Sequence, residues 1–289
     1  MTISPELQEK YENLLSFIRK KQSAAVAFSG GVDSSLLCRA AREALGDGAL
    51  AVTVVSPLLP KSELDDARRI AALTGIEHIL LERPDIESAV AANPPDRCYH
   101  CKKNEFAAII ACAKSRGAAA IFDGSNVDDP ADYRPGLKAL KELGVESPLR
   151  EAGLSKAEIR ELSREAGLPT WDKPAFACLA SRIPYGQTID AKQLAAVEAA
   201  ETVLARAGFR QVRVRVHGDI ARIEVAREER RKFFDVPLWD RLASEIKALG
   251  FRYVAAELSG YVTGSLNREL PAFAKDEIFE EEKNENTAL

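Results

Sequence analysis

Seven consecutive residues have the composition of a phosphate-binding loop: Ser29-Gly30-Gly31-Val32-Asp33-Ser34-Ser35. Two adjacent glycines let the backbone turn sharply and bring several N–H groups close to one anion, and the three serine hydroxyls add side-chain donors. The segment has neither the Lys-Ser or Lys-Thr ending of a Walker-type site nor the three-glycine dinucleotide pattern. An ordinary strand–helix turn is the alternative. We favour phosphate binding because the residues follow a predicted buried strand and lead into a predicted helix, whose positive end attracts anions.

Cysteines supply a second candidate chemistry. Cys98 and Cys101 form a Cys-x-x-Cys pair in a proline-led turn that enters a helix. Such a pair can hold a metal ion, form a redox disulfide or join an iron–sulfur cluster. His100 would be a poorly spaced fourth ligand for structural zinc. Cys178 lies in an irregular, proline-marked segment with an arginine nearby, a setting that can activate a thiol.

Two arginines, Arg213 and Arg215, alternate along the sequence Val-Arg-Val-Arg-Val. In a strand this spacing puts both on one face, where a pair of guanidinium groups can grip a phosphate or a carboxylate. The alternative is a solvated strand face with both charges turned outward, and the pattern alone slightly favours that alternative.

These side chains need elements that bring them together. Short apolar runs alternate with amphipathic helical stretches in the first half of the chain, which is typical of a parallel sheet with helices on both faces. Ligands of such sheets bind beyond the carboxyl ends of the strands, where the phosphate loop lies. The predicted strands are residues 24–28, 50–55, 76–81 and 118–122, and the predicted helices include 34–45, 62–73, 104–115 and 156–166.

A proline-containing crossing, residues 168–186, separates this part from a second α-β-β-α-β unit. Its predicted elements are a helix at 190–207, strands at 212–216 and 220–225, a helix at 237–249 and a strand at 251–258. We therefore expect an α/β fold. It has a Rossmann-like, doubly wound parallel sheet over residues 1–170, a smaller α+β domain over 171–270 and an acidic, disordered tail over 271–289.

The composition indicates a globular protein. Of 289 residues, 46 % are hydrophobic, and 40 Lys and Arg stand against 44 Asp and Glu for a net charge of −4. This balance argues against broad binding to a nucleic-acid backbone. Five cysteines do not make a disulfide scaffold, and we expect Cys38 and Cys112 to be core residues. With no signal pattern and no apolar run of membrane-spanning length, we expect a reduced, cytoplasmic protein without a membrane partner.

The phosphate loop resembles the pyrophosphate loop of the ATP pyrophosphatases, the PP-loop superfamily. This superfamily includes GMP synthetase, NAD synthetase, argininosuccinate synthetase and the tRNA thiolation enzymes. The resemblance implies that a substrate oxygen takes AMP from ATP and that pyrophosphate leaves, with Asp33 helping to hold Mg²⁺. The ATP-binding residues that it implies are Ser29, Gly30, Gly31, Asp33, Ser34 and Ser35 in the loop, with Thr53, Val55 and Gly124 at later strand ends.

Nearly the whole chain resembles a narrower family, the ATP-dependent sacrificial sulfur transferases of LarE type. The resemblance rests on Asn-Pro-Pro-Asp-Arg-Cys-Tyr-His-Cys-Lys at 93–102 and on the segment around Cys178, both following the PP-loop. It implies adenylation of the carboxylates of a pyridinium-3,5-dicarboxylate mononucleotide and replacement of AMP by sulfur, in nickel-pincer nucleotide cofactor biosynthesis. Cys178 aligns with the sulfur-bearing cysteine, which in the simplest members is left as dehydroalanine.

The resemblance also bears on cofactor and substrate residues. With Cys98, Cys101 and Cys178, the chain resembles the three-cysteine subgroup, whose thiolates hold a [4Fe–4S] cluster that would supply the sulfur in place of Cys178. Arginines of the second module bind the family's substrate, so Arg213 and Arg215, with Ser181 and Arg182, are the candidate substrate-binding residues. We expect a homo-oligomer. The alternatives are a tRNA thiolase of the same superfamily and a non-catalytic sensor of ATP or AMP.

Overall fold

The structure, a computed structural model, describes residues 3–129, 135–174 and 177–262. Within these ranges the chain forms two compact units. One takes the residues up to Asp85 and those from Cys98 to residue 174, and the other takes Ile86–Arg97 and the chain from Ala177. The domain limits expected at residues 170 and 270 stay predictions. The acidic tail lies outside the described residues.

A four-stranded parallel sheet forms the centre of the first unit. Its strands are β1 (Ala24–Ala27), β2 (Ala49–Val55), β3 (Glu77–Glu82) and β4 (Ala120–Phe122), in the order β3-β2-β1-β4. In register, Ala24 pairs with Ala49 on one side and with Ala120 on the other. The four short apolar runs of the sequence are thus the four strands, and their parallel pairing confirms the predicted α/β class.

Helices cover both faces of this sheet. Ala24 and Val26 of β1 pack in one apolar cluster and Ala25 in another, because successive side chains of a strand point to opposite faces. The helices before residue 166 are α1 (Pro5–Arg19), α2 (Val32–Leu45), α3 (Lys61–Thr74), α4 (Ser88–Ala91), α5 (Arg97–Ser115), α6 (Pro135–Glu142), α7 (Pro148–Glu151) and α8 (Lys156–Glu165), with a 3₁₀ turn at Gly46–Gly48. Of these, α4 belongs to the second unit. The first cluster includes residues of α1, α2, α3 and α8, and the second includes residues of α5 and α6. The doubly wound arrangement is confirmed.

Two helix starts follow directly from local sequence. Ser4 accepts a hydrogen bond from the backbone of Leu7 at 3.2 Å, and a proline occupies the first turn of α1. At α8, the Glu158 amide donates to Ser155 Oγ at 3.3 Å and the Ser155 amide donates to Glu158 Oε2 at 2.8 Å. This reciprocal capping box satisfies two amide groups that the helix leaves without partners.

The second unit contains a three-stranded mixed sheet. Its strands are β5 (Val212–His217), β6 (Ile220–Val225) and β7 (Tyr253–Ala256), where β5 and β6 are antiparallel and β6 and β7 are parallel. Helices α9 (Ala191–Arg206) and α10 (Val236–Lys247) accompany it, with 3₁₀ helices at Leu179–Arg182 and Arg227–Phe234. The predicted α-β-β-α-β order is confirmed.

The segment Ile86–Arg97 packs with this second unit. Asn93, at φ 55°, is fully buried and its carbonyl accepts from the Gly186 amide at 2.9 Å. Its side-chain amide donates to the carbonyls of Pro184 at 2.7 Å and Gln187 at 3.0 Å. These bonds order the turn that follows Cys178 along the chain. In the described ranges, no helix is long and apolar enough to cross a membrane.

Candidate functional site

The phosphate loop connects the end of β1 to the start of α2, at the carboxyl edge of the parallel sheet. Gly31 is the N-cap of α2, so no cap side chain takes up the amide groups of the first turn. Those N–H groups, together with the positive end of the helix dipole, form a site for an anion. The predicted loop therefore has the backbone arrangement that phosphate binding needs.

Two glycines allow the close packing around the loop. Gly30 has φ +75°, and a Cβ atom there would lie 2.7 Å from the backbone oxygen of Glu63. A Cβ atom on Gly124, which follows β4, would lie 3.2 Å from the Ser34 amide nitrogen. The predicted ATP-site residue Gly124 thus lies directly beside the loop, and its contact with ATP stays a prediction.

The serine hydroxyls of the loop contact one another. Ser29 Oγ and Ser34 Oγ are 3.1 Å apart, and Ser34 Oγ also donates to the Gly31 carbonyl at 3.3 Å. Ser35 is fully buried, and its hydroxyl has no hydrogen-bond partner within the described part of the chain. The hydroxyls of Ser29 and Ser34 are thus grouped at the start of α2, where an anion would accept from them, and contact of the buried Ser35 with phosphate stays a prediction.

Asp33, the predicted magnesium ligand, is held by two neighbours. Its carboxylate pairs with the ammonium group of Lys156 and accepts from Asn126 Nδ2 at 3.2 Å. The Lys156 amide donates to Asp128 Oδ2 at 2.8 Å. Sequence reasoning missed Lys156, whose only local signal is its place directly after the cap Ser155. A single carboxylate beside a phosphate cradle is a donor set that suits Mg²⁺, which takes few protein ligands when phosphates supply others.

Thr53 lies at the same edge, but its hydroxyl is already engaged. Oγ1 donates to the Phe28 carbonyl at 2.7 Å, so His78 Nε2, 2.8 Å from the same oxygen, must be the donor in that second bond. Burial, and then the nearby Arg68 charge, lowers the pKa of His78. The Thr53 side chain therefore fixes the residue before the loop. Contacts of Thr53 and half-buried Val55 with adenine stay predictions.

The Cys-x-x-Cys pair lies in the first turns of α5, which begins earlier than the predicted residue 104. Cys98 is exposed and Cys101 is half-buried. Among residues 3–129, 135–174 and 177–262, no three His, Cys, Asp or Glu side chains form a group that could hold a metal ion. An iron–sulfur cluster on Cys98, Cys101 and Cys178 stays a prediction, because Cys178 belongs to the other compact unit. Cys38 is fully buried and burial raises the pKa of its thiol, in agreement with a core residue.

In the second unit, Cys178 is exposed and precedes the 3₁₀ helix Leu179–Arg182. Its carbonyl accepts from Ser181 Oγ at 2.9 Å, from the Ser181 amide at 3.1 Å and from Arg182 Nη1 at 3.0 Å. The backbone of Cys178 is therefore fixed while its side chain faces solvent, which is the arrangement a reactive thiol needs.

Arg182 holds this segment from inside the unit. It is fully buried and forms a bidentate ion pair with Glu201, with both N···O distances 2.9 Å. Its remaining nitrogen donates to the carbonyls of Ala177 and Cys178. The Val214 amide also donates to Glu201 at 2.9 Å. These contacts give Arg182 a positioning role, and its contact with substrate stays a prediction.

Arg213 and Arg215 are both buried, so the alternative of a solvated strand face is wrong. Arg215 Nε donates to Glu224 at 2.6 Å, and its Nη1 donates to the Ser181 carbonyl at 2.7 Å. The Arg213 guanidinium lies 5.2 Å from the Tyr261 ring centroid. Burial lowers the pKa of Arg213, and the like charges of Arg182 and Arg215 act in the same direction. Glu201 acts in the opposite direction, and Arg182 and Arg215 are paired with Glu201 and Glu224, so these arginines form a network of mixed charge beside the Cys178 segment.

Comparison with known proteins agrees with these features. The sequence model of the asparagine synthase family matches residues 17–107, which contain the loop. A protein of Synechocystis is 43 % identical over 91 % of this chain and 99 % of its own length. The tRNA-specific 2-thiouridylase of Rhizobium etli is 31 % identical but matches only 54 % of this chain and 49 % of its own length.

A further relative matches almost end to end. The pyridinium-3,5-bisthiocarboxylic acid mononucleotide synthase of Lactiplantibacillus plantarum is 38 % identical over 91 % of this chain and 96 % of its own length. Identity of this extent, added to the PP-loop and the parallel sheet, shows that the chain belongs to the family of pyridinium-3,5-bisthiocarboxylic acid mononucleotide synthases, of LarE type, within the PP-loop superfamily.

Proposed function

We propose that the chain is an ATP-dependent sulfurtransferase that adenylates the carboxylates of a pyridinium-3,5-dicarboxylate mononucleotide and replaces AMP by sulfur, giving thiocarboxylates for nickel-pincer cofactor biosynthesis. Family membership supports the reaction class, and the name of the L. plantarum relative supports the substrate. The observation that carries the proposal is an uncapped, glycine-opened loop in a chain that also holds an exposed cysteine on a fixed backbone.

In the first step, a substrate carboxylate oxygen attacks the α-phosphorus of ATP, and the bond to pyrophosphate breaks. The amide groups at the start of α2 and the hydroxyls of Ser29, Ser34 and Ser35 bind the leaving pyrophosphate. Asp33 would hold Mg²⁺, which supplies charge neutralisation at the phosphates. Lys156 adds a positive charge at the same carboxylate.

In the second step, the Cys178 thiolate attacks the acyl carbon and AMP leaves, which forms a thioester. Removal of the Cys178 Cα proton then breaks the Cβ–Sγ bond. The thiocarboxylate departs with the sulfur and residue 178 becomes dehydroalanine. Ser181 and Arg182 bind the backbone carbonyl of Cys178, so the exposed thiol can react without movement of the backbone.

Substrate binding is assigned to Arg213 and Arg215, with Ser181 and Arg182 beside them. Burial, and then repulsion from Arg182 and Arg215, lowers the pKa of Arg213, and Glu201 offsets part of this repulsion. A phosphate or carboxylate bound there would offset this repulsion and accept hydrogen bonds. Arg215 already reaches the Ser181 carbonyl, three residues beyond Cys178.

An iron–sulfur cluster held by Cys98, Cys101 and Cys178 is the alternative sulfur source. Its three ligands would come from both compact units of the chain. Iron and acid-labile sulfide in protein prepared without oxygen would favour the cluster over loss of sulfur from Cys178.

The test incubates the full chain anaerobically with ATP, Mg²⁺ and the pyridinium dicarboxylate mononucleotide, and follows protein and products by mass spectrometry. We expect pyrophosphate, AMP and thiocarboxylate, with a loss of one H₂S from the peptide that contains Cys178. The variant Cys178→Ala should still release pyrophosphate but form no thiocarboxylate. An intact Cys178 peptide together with thiolated product would overturn the sacrificial step, and absence of pyrophosphate release would overturn the adenylation.

The match to the thiouridylase makes a tRNA thiolase the second candidate. That match spans half of each chain, whereas the synthase match spans nearly all of both, and the net charge of −4 is unfavourable for tRNA binding. Sulfur transfer to tRNA, with none to the mononucleotide, would favour the thiolase. Nucleotide binding without any pyrophosphate release would favour the sensor.

A further inference from the structure

Lys173 contacts the phosphate loop at the carbonyl of its first glycine. Its ammonium nitrogen lies 3.2 Å from the Gly30 carbonyl oxygen, 2.9 Å from Glu63 Oε1 and 2.5 Å from Asp66 Oδ2. Glu63 and Asp66 both belong to the first two turns of α3. An ammonium group has three donors, and here three acceptors surround it.

The position of this lysine along the chain is also fixed. Arg160 donates to the Trp171 carbonyl and to the Lys173 carbonyl, both at 2.7 Å. The Lys173 side chain is 15 % exposed and that of Glu63 is 7 % exposed, so the pair is largely removed from water. A cation held in this way makes a stronger hydrogen bond to a carbonyl than a neutral donor does.

The contact with Gly30 matters because of peptide geometry. The Gly30–Gly31 peptide is trans, so its C=O and N–H groups point in opposite directions. When the carbonyl points at Lys173, the Gly31 N–H points to the opposite side, where Ser29 Oγ accepts it at 3.4 Å. Glycine on both sides of a peptide favours its rotation. Rotation would turn the carbonyl oxygen towards a bound phosphate and the donor away from it.

We propose that Lys173 is a positioning residue for the ATP site, which holds the Gly30–Gly31 peptide with its N–H on the phosphate side. This inference rests on the proposed function, because it requires that the loop binds the phosphates of ATP. A purely structural role, the neutralisation of buried Glu63, is the competing explanation. The positioning role and the purely structural role predict different affinities for ATP when the Glu63 carboxylate is removed together with Lys173.

The test measures the Kd of ATP, in the presence of Mg²⁺, by calorimetry on full-length chains. Lys173→Met should raise the Kd about tenfold or more, because a charge-assisted bond to the loop is lost. Lys173→Arg should keep most of the affinity, since guanidinium can donate to the same acceptors. Lys20→Met, the same change at an exposed lysine at the C-terminal end of α1, serves as the control and should leave the Kd unchanged.

The double variant Glu63→Leu/Lys173→Met separates the two explanations. Replacing the buried pair Glu63 and Lys173 by apolar side chains should restore the melting temperature towards the wild-type value, because the more exposed Asp66 keeps its ion pair with Arg69. The ATP affinity should stay weak, because the Lys173 donor to the Gly30 carbonyl is still missing. A wild-type Kd in the double variant, or in Lys173→Met alone, would overturn the positioning role. Failure of the wild-type chain to bind ATP would instead overturn the proposed function, and this inference with it.

Discussion

The phosphate loop and the Cys178 segment are both short irregular stretches held in one conformation, but they are held by different means. The loop depends mainly on its own residues: φ of +75° at Gly30, a glycine cap at Gly31 and hydroxyl contacts between Ser29 and Ser34. Lys173 adds one contact from elsewhere on the chain, at the Gly30 carbonyl. The Cys178 segment depends on Arg182, whose partner Glu201 lies on another element. A conformation that neighbouring residues hold can be predicted from consecutive residues of the sequence. A conformation that depends on a distant partner forms only once the fold has brought the two residues together.

This difference predicts different costs of disruption. A buried ion pair that loses one member leaves an uncompensated charge. A glycine that gains a side chain strains its own backbone and contacts its neighbours. A helix cap that loses its charge weakens one end of one helix. The three substitutions below test this order.

The largest loss of stability is expected for Arg182→Met. The change leaves Glu201 buried without its bidentate partner and removes the Arg182 donor from the carbonyls of Ala177 and Cys178. The Cys178 carbonyl keeps its bonds from Ser181. We expect the free energy of unfolding to fall by about 3–5 kcal/mol, as measured by urea denaturation.

The matched control is Arg252→Met in the same unit, where the ion pair with Asp219 is exposed, at 73 % and 60 %. This change should cost only about 0–1 kcal/mol. Equal costs at both sites would contradict the idea that buried long-range charges hold the Cys178 segment.

Gly30→Ala should cost somewhat less, about 2–5 kcal/mol, as the sum of left-handed strain and overpacking. The added methyl group would overlap the Glu63 backbone oxygen, which α3 holds in place. Gly117 is the matched control, because it has the same φ of +75°, but among the described residues no atom outside its chain neighbours lies within 4 Å of the position that a Cβ would take there. Gly117→Ala should therefore show the strain alone, about 1–2 kcal/mol.

Thermal and urea denaturation of both glycine variants would isolate the contribution of close packing. If Gly30→Ala and Gly117→Ala lose the same stability, the approach of the loop to α3 is not tight in solution. If Gly30→Ala binds ATP more weakly and Gly117→Ala does not, the packing of the loop against α3 also shapes the phosphate site.

The sequence predicts local features well, because the residues that determine such a feature are consecutive in the chain. The four strands of the parallel sheet, the loop at Ser29–Ser35 and the cap at Ser155 each follow from a few consecutive residues. The superfamily resemblance implies Gly124 as an ATP-site residue; it lies beside the loop, and its contact with ATP stays a prediction. The start of α5 is predicted too late, because the prolines before Cys98 indicate a longer turn than the chain forms.

Some residues act through partners that are distant in sequence. The sequence either does not predict these residues or predicts a different role for them. Lys156 and Lys173 carry no motif, and only the fold brings them to Asp33 and to the Gly30 carbonyl. Alternation puts Arg213 and Arg215 on one face, but it cannot tell whether that face is buried. Burial depends on the elements that cover the strand, which alternation does not encode.

The smallest effect is expected at Glu158, a local support of α8. Partial burial acts to raise the pKa of this carboxyl group, but hydrogen bonds from Lys10 and Ser155 outweigh it and lower the pKa from its ordinary value of 4.5. The ionised form is thus favoured by folding. Its contribution is present above pH 4.5 and is lost as the pH falls through the lower pKa of the folded state.

Glu158→Gln keeps an acceptor for the capping box but removes the charge at the N-terminus of α8. At neutral pH the variant should lose about 0.3–1 kcal/mol of unfolding free energy. Below pH 4.5 the difference from wild type should shrink, because the wild-type carboxyl group becomes neutral as well. Urea denaturation of both chains from neutral pH down to the acid limit of folding measures this convergence. If the difference instead stays constant over that range, Glu158 stabilises α8 through hydrogen-bond geometry and not through its charge. The capping box would then support the chain through local backbone geometry alone, as Gly30 does in the loop.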